Sequence, residues 1–298
     1  MSPNLSIRDL SKTYPNGTRA LKGISLEVPP GMFGLLGRNG AGKSTLMRIL
    51  ATLQEPDAGT IHLGELDVVR QKERVRETLG YLPQSFGFHP RVRAERLLEH
   101  FAVLKGLVEP GPRREVVEAL LRRTNLWDVR TQRVGTFSGG MRQRLGVAIA
   151  LVGNPKLIIV DEPTAGLDPE ERVRFLNLLS EIGEASAVIL STHIVEDVEE
   201  LCSNLAIIDR GEILLTATPA RAIAELRGRI WRRTITRDEL PALEREHLVI
   251  STKLLAGQTI AHLYAETPPG AGFETVEPDL KDVYFAVMAG HHGARVAA

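Results

Sequence analysis

Residues Gly37-Arg38-Asn39-Gly40-Ala41-Gly42-Lys43-Ser44-Thr45 fit the pattern G-x-x-x-x-G-K-[ST]. The glycines let successive backbone N–H groups turn inward around an anion. The following helix adds the positive end of its dipole to the same anion. Such a cradle requires a strand before it and a helix after it, and both are legible. Met32–Leu36 is an apolar run that enters the glycines. Leu46, Ile49, Leu50 and Leu53 recur at i, i+3, i+4 and i+7, one face of a helix. The spacing therefore predicts a phosphate-binding loop at a strand-to-helix junction. Lys43 is placed to reach β- and γ-phosphates, and Ser44 to offer an oxygen to Mg²⁺.

A second stretch carries carboxylates. Leu157-Ile158-Ile159-Val160 reads as a strand buried on both faces, and Asp161-Glu162 follow at once. Open α/β sheets place their sites at the carboxyl ends of strands. Asp161 suits a metal held through water, and Glu162 suits polarising an attacking water. Alone, the pair reads equally well as an ordinary acidic turn. Downstream of a phosphate loop it supplies the two groups that phosphoryl transfer requires. A third stretch, Phe137-Ser138-Gly139-Gly140-Met141-Arg142-Gln143-Arg144, opens a helix with Ser138 as N-cap and two glycines that expose the first amides. This is a second anion-binding helix start, where one nucleotide needs one.

The 298 residues allow one large domain or two small ones. Lys plus Arg and Asp plus Glu number 37 each, which argues against a polyanion-coating protein, although a local basic patch can hide in a zero sum. Cys202 stands alone, so no disulfide framework exists and a reducing compartment is expected. Met1–Ser6 lacks the basic-then-apolar pattern of a secretory leader. The longest strongly apolar run, Leu145–Val152, falls far short of the ~20 residues a spanning helix needs. Strands are expected around Leu5–Ile7, Ile24–Val28 and Ala187–Leu190, and a hairpin at Leu205–Ile208 and Ile213–Leu215. Arg91–Ala150 reads as mostly helical, and Asp168-Pro169 as a helix start. Beyond about residue 225 the pattern weakens. Strands at Leu248–Ile250 and Ile260–Tyr264, a helix over Asp279–Met288 and a loose tail from Gly290 are expected.

With these motifs in order, residues 4–220 resemble the ATP-binding-cassette (ABC) ATPases. Phe137–Met141 is similar to the L-S-G-G-Q signature, with Phe137 for Leu and Met141 for Gln, the S-G-G-M form of the drug and polysaccharide export branches. Tyr14, in Lys12–Gly17, resembles the aromatic that stacks on adenine. Gln84, after Tyr81-Leu82-Pro83, resembles the Q-loop glutamine. Ala165-Gly166-Leu167-Asp168 resembles the D-loop, and His193, after Ser191-Thr192, the switch histidine. The resemblance implies an α/β fold of P-loop NTPase type. It comprises a mostly parallel sheet, N-terminal antiparallel strands, a helical subdomain at about 88–154 within a nucleotide-binding domain 1–222, and a small C-terminal α+β appendage 223–298.

The resemblance also implies ATP and Mg²⁺ as cofactors. Glu162, His193, Lys43 and Gln84 are the expected catalytic residues, and Ser44, Gln84 and Asp161 the metal ligands. Tyr14, Gly37–Thr45, Ser138, Gly139, Gly140 and Asp168 are expected around nucleotide. Because loop and signature of opposite chains sandwich ATP in this family, it implies a two-fold dimer, a homodimer in the simplest case. It further implies a separate membrane permease and a place on the inner face of the cell membrane, with no nucleic acid. Phe86-Gly87-Phe88-His89 suits either a docking notch for that permease or two ordinary core aromatics. The segment Glu277–Phe285 resembles one that closes many exporter ATPases, so export is favoured over import. A soluble ABC ATPase acting on ribosomes or DNA is the alternative. Translation-type members usually carry two cassettes, and the 95 residues from Lys43 to Ser138 leave no room for the coiled coil of repair types. The other seven histidines, His291 and His292 included, lack metal-ligand spacing and read as solvated or structural. Arg113-Arg114 and Arg122-Arg123 read as a charged outer face.

Overall fold

The computed structural model describes residues 4–85, 87–164 and 166–291. A six-stranded sheet lies at the centre. Its strands run in the order Glu212–Ala217, Asn204–Asp209, Met32–Leu36, Ala187–Thr192, Leu157–Asp161 and Leu79–Leu82. All neighbours are parallel except the hairpin pair at the Glu212–Ala217 edge. Every residue of Met32–Leu36, Leu157–Asp161 and Ala187–Thr192 is buried, as continuous apolar runs require in a sheet covered on both faces.

One face carries helix Lys43–Leu50 and a four-stranded antiparallel sheet, ordered Arg19–Val28, Leu5–Thr13, Ala58–Leu63 and Leu66–Asp67. Leu5 pairs with Val28 and Ile7 with Leu26, and all four side chains point inward. Phe33, Leu35, Leu46, Met47, Ile49, Ile159 and Ile189 fuse these layers into one core. The strand, loop and helix that make the phosphate cradle are thus clamped between two sheets. Leu53 departs from expectation: the helix ends at Leu50, and Leu53 is 63% exposed rather than on the buried stripe.

Helices Ala94–Leu104, Pro110–Arg123 and Gly139–Ala150 form the helical subdomain. Their Leu98, Leu121, Leu145 and Ala148 join Leu82, Val160 and Leu190 of the central sheet in a second core. This core continues into the C-terminal part, where Ala222 and Leu226 still belong to it. A third sheet, ordered Leu248–Leu255, Gln258–Tyr264, Ile230–Ile235 and Glu274–Thr275, has its own small cluster of Ile235, Leu243, Ala261 and Leu263. Strand Ile230–Ile235 and helix Leu240–Glu246 fall where the sequence pattern is weakest, because both bury only a few side chains. The C-terminal helix Leu280–Met288 turns back onto the main body. It buries Leu280, Val283, Ala286 and Val287 there, and Lys281 pairs with Glu196 at 2.6 Å. Of the expected tail, residues 292–298 lie outside the described residues. Among the described residues no helix is long and apolar enough to cross a membrane.

Asp279 and Asp282 close a reciprocal cap on that last helix. His262, from strand Gln258–Tyr264, places Nδ1 at 2.8 Å from Oδ1 of the buried Asp282. This hydrogen bond holds His262 above its ordinary value; burial opposes it, and Asp279 adds to it. A raised folded pKa means the pair stabilises fully below the unfolded value of ~6.5, and the contribution fades as pH climbs through the folded value. The melting temperature is expected to fall as pH rises from about 6 to about 9, with a shallower fall in His262→Gln. Parallel pH profiles of the two proteins in calorimetry would refute this clamp.

Candidate active site

Gly42 has φ of +111° and leads directly into helix Lys43–Leu50. A Cβ there would stand 2.6 Å from the Ala20 carbonyl, so the loop closes only around glycine. The hairpin turn after Asn204–Asp209 props the loop from outside. Gly211 N–H donates to the Ala41 carbonyl at 2.9 Å, and Arg38 pairs with Asp209 at 3.0 Å. Inside the loop, Lys43 Nζ donates to the carbonyl of Gly37 at 2.6 Å and, more weakly, to that of Arg38 at 3.3 Å. It also pairs with Glu162 Oε1 at 3.1 Å, with the two side chains only 4% and 6% exposed. A buried ammonium persists only when paired and hydrogen-bonded, and here both conditions are met.

Glu162 is held on its other side by His193, whose Nδ1 lies 2.5 Å from Oε2. Its backbone has φ of +50°, an uncommon conformation for a non-glycine residue, and its N–H donates to Ser191 at 2.8 Å. That turn aims the carboxylate back over the phosphate loop. Asp161, one residue earlier, is 3% exposed, and its Oδ1 has no hydrogen-bond partner. Burial pushes its carboxyl above the usual carboxylate range, and the nearby Ser191 and Ser44 hydroxyls pull the other way. An orphaned buried carboxylate oxygen beside Ser44 fits a hard divalent cation with oxygen ligands such as Mg²⁺, which takes few protein ligands besides phosphate and water.

A cleft of about 550 Å³ gathers Tyr14, Arg38, Asn39, Gly40, Gly42, Lys43, Ser44, Thr45, Gln84 and Glu162. Gly37 and Ala41 contribute their carbonyls to the loop rather than to the lining. The Tyr14 hydroxyl is tethered between Thr45 Oγ1 at 3.0 Å and Gln54 Oε1 at 3.3 Å, which fixes the ring at the cleft wall. Arg19, Lys22 and Arg210 add a basic rim that sequence reasoning missed. No local pattern marks Arg210, a turn residue brought there by the hairpin. His193 opens into a neighbouring hollow beside Arg38 and Asn39, walled by Tyr284, Phe285 and Met288 of the C-terminal helix.

Ser138, Gly139, Gly140 and Asp168 do not line this cleft. Ser138 caps its helix as expected, its Oγ accepting from Met141 N–H at 3.1 Å. Gly139 is open to solvent, but Gly140 is not. Any Cβ on Gly140 would run into the Glu171 carboxylate that pairs with Arg144, so this glycine serves close packing rather than an exposed amide. Asp168 caps the next helix through Glu171 N–H at 2.8 Å, and Ala165 lies outside the described residues. Cys202 is buried and its thiol is pushed up to about 12, which removes it as a nucleophile.

Asp197 also escaped the sequence reading. It is fully buried on the helix after His193. It accepts from Thr164 Oγ1 at 2.6 Å and from Arg172 Nε and Nη2 at 2.9 and 2.6 Å. One carboxylate thus ties the segment after Glu162, the helix after Asp168 and the helix after His193.

Fold and cleft together define an ATPase of the phosphate-loop class. A sequence model of the ABC transporter family matches residues 21–165. The linearmycin resistance ATP-binding protein LnrL of Bacillus subtilis (strain 168) is 33% identical over 226 residues, covering 75% of this chain and 72% of LnrL. The daunorubicin/doxorubicin resistance ATP-binding protein DrrA of Streptomyces peucetius is 35% identical, covering 75% of this chain and 68% of DrrA. Among solved structures, cbiO1 from Clostridium perfringens, described as part of the ABC transporter complex cbiONQ, matches with TM-score 0.67 and 28% identity, over 76% of this chain and 92% of that one. The chain belongs to the ABC transporter family. It is an ATP-binding, ATP-hydrolysing subunit of that kind.

Asp197→Ala would leave Thr164 and the half-buried Arg172 without their shared acceptor and should cost about 1–3 kcal/mol. Thr164→Val removes one hydrogen bond and should cost about 1 kcal/mol. Urea denaturation reads both, and equal midpoints for the parent and Asp197→Ala would remove the tie.

Proposed function

We propose that this chain is the ATPase subunit of an exporter and works as a two-fold dimer with composite sites. The observation that carries the reading is the separation just described. The signature helix start is fully formed at Ser138, yet it lines a different surface from the phosphate-loop cleft. A second chain would bring its own signature to that cleft, and two-fold symmetry would complete two sites at once. The resistance functions in the names of LnrL and DrrA support export, as does the resemblance of Glu277–Phe285.

In this reading Tyr14 stacks on adenine and the amides of Gly37–Thr45 hold the phosphate chain. Ser44 and Asp161 hold Mg²⁺, with Gln84 at the open side. When bound, Mg²⁺ neutralises charge on the β- and γ-phosphates. The arriving phosphates draw Lys43 away from Glu162, which frees that carboxylate to accept a proton from water. His193 steadies Glu162 from behind. A permease subunit would seat in the apolar groove lined by Leu53, Tyr81, Phe101, Leu104 and Ile149, next to the strand that ends before Gln84. Of the two aromatics expected at a docking notch, Phe88 is half-buried edge-on against Phe101 at 6.5 Å, and Phe86 lies outside the described residues.

Lys43→Ala is expected to lower ATP turnover ~10²–10³-fold, the usual consequence of losing one preorganised donor to developing phosphate charge. Ser138→Arg should stop turnover while ATP binding to the monomer stays near the parent value. Mixing the two dead variants tests the composite site directly. A mixed dimer holds one doubly damaged site and one intact site, so activity should return where one site can fire alone. Loss of ATP binding in monomeric, folded Ser138→Arg would place the signature in the same chain's pocket and end the dimer reading.

A further inference from the structure

The zero net charge conceals a strong local imbalance. Residues 88–154 carry twelve Lys and Arg against six Asp and Glu, although the whole chain has 37 of each. Part of this charge is neutralised where it stands. Arg96 pairs with Glu99, Arg122 with Glu118 and Arg130 with Glu95. Arg122 and Arg130 also clasp the Trp127 ring, at 4.3 and 3.9 Å from its centre.

Arg144 pairs with Glu171. Among the arginines of this stretch that have no acidic partner, the backbone brings Arg93 and Arg133 together, with Arg91 close by in sequence. Arg93 and Arg133 form an antiparallel bridge. Val134 N–H donates to Val92, and Gly135 N–H to Pro90, both at 2.9 Å. Opposed residues in such a pair share a face, as do alternate residues along one strand. Val134 is 2% exposed and marks the inner face. Arg93 and Arg133 therefore share the outer face; Arg91 stands two residues earlier in the adjoining turn, and all three are exposed. Among the described residues none of them has an acidic group within ion-pair distance. Like charges directly opposed across a strand pair are destabilising, and an anion lying over them relieves that repulsion.

We infer that the face of Arg91, Arg93 and Arg133 docks on anionic phospholipid headgroups. The three arginines are exposed on the outside of this bridge and its adjoining turn, where they are open to an extended anionic partner. Such exposed charge matches a leaflet of anionic lipid, where each basic residue near the surface adds about fivefold to binding. The segment runs on directly from Phe88, beside the groove proposed for the permease, so the same edge of the molecule would address the bilayer. The inference rests on that membrane-linked reading, but lipid contact needs no ATP turnover, so the two fail separately.

The test uses the full chain in sedimentation with phosphatidylcholine vesicles, made with and without phosphatidylglycerol. ATP hydrolysis is followed in the same preparations. Binding is expected only to the phosphatidylglycerol vesicles, and it should weaken steeply as salt shortens the Debye length from ~10 Å at 0.1 M. Replacing Arg91, Arg93 and Arg133 by Gln together should lower that binding on the order of a hundredfold and leave ATP hydrolysis at the parent rate. The matching triple replacement by Lys should retain it, since charge alone is required. Absence of binding to anionic vesicles at low salt would overturn the inference. So would equal binding to neutral vesicles, parent-like binding by the Gln variant, or loss of binding in the Lys variant. Duplex DNA that displaces the vesicles and is itself bound more tightly would assign the face to nucleic acid instead, which also overturns it.

Discussion

A single buried ammonium organises the catalytic end of this molecule. Lys43 stands at the start of a helix, inside a glycine loop, with almost no contact with solvent. Its three donors are directed at the Gly37 and Arg38 carbonyls and the Glu162 carboxylate. Removing that cation from water is tolerable only because the carboxylate and the two carbonyls replace its hydration. Glu162 in turn depends on a left-handed backbone turn and on His193. The central parallel sheet exists, in functional terms, to hold these groups at the ends of its strands.

In the proposed mechanism, the cation assigned to the phosphate chain and the carboxylate assigned to the attacking water face each other as a buried ion pair. Each is therefore preorganised by the other, and neither is exposed to water at large. The electrostatic environment for phosphoryl transfer is built into the fold instead of being assembled from mobile side chains. Asp161 supplies the complementary element. Its buried Oδ1 has no hydrogen-bond partner and burial raises its carboxyl, features that fit the Mg²⁺ site proposed there.

Around this centre, long-range ties set the positions of surfaces that face outward. Asp197 joins the segments that follow Glu162, Asp168 and His193 through hydrogen bonds from Thr164 and Arg172. The hairpin through Asp209 and Gly211 braces the phosphate loop from one side. The C-terminal helix closes in beside Arg38 and His193 from another. The helical subdomain shares a core with the sheet and carries both the signature start and the arginine face, so both surfaces belong to one packed body.

The sequence by itself determined the phosphate loop, the acidic strand end, the Ser138 and Asp168 caps and the buried parallel strands. Each is a short contiguous pattern whose chemistry is local: amides around an anion, a side-chain oxygen on a helix start, an apolar run between layers. Tertiary structure alone decided the rest. It placed Lys43 against Glu162, Arg210 at the cleft rim and Asp197 among three segments. It exposed Leu53 by ending its helix early and turned Gly140 into a packing glycine under Glu171. It also set Arg93 opposite Arg133 in a chain with no net charge. These pairings join residues far apart along the chain, and they follow from strand register and layer packing. Neither leaves a period or a motif in the sequence from which it can be read.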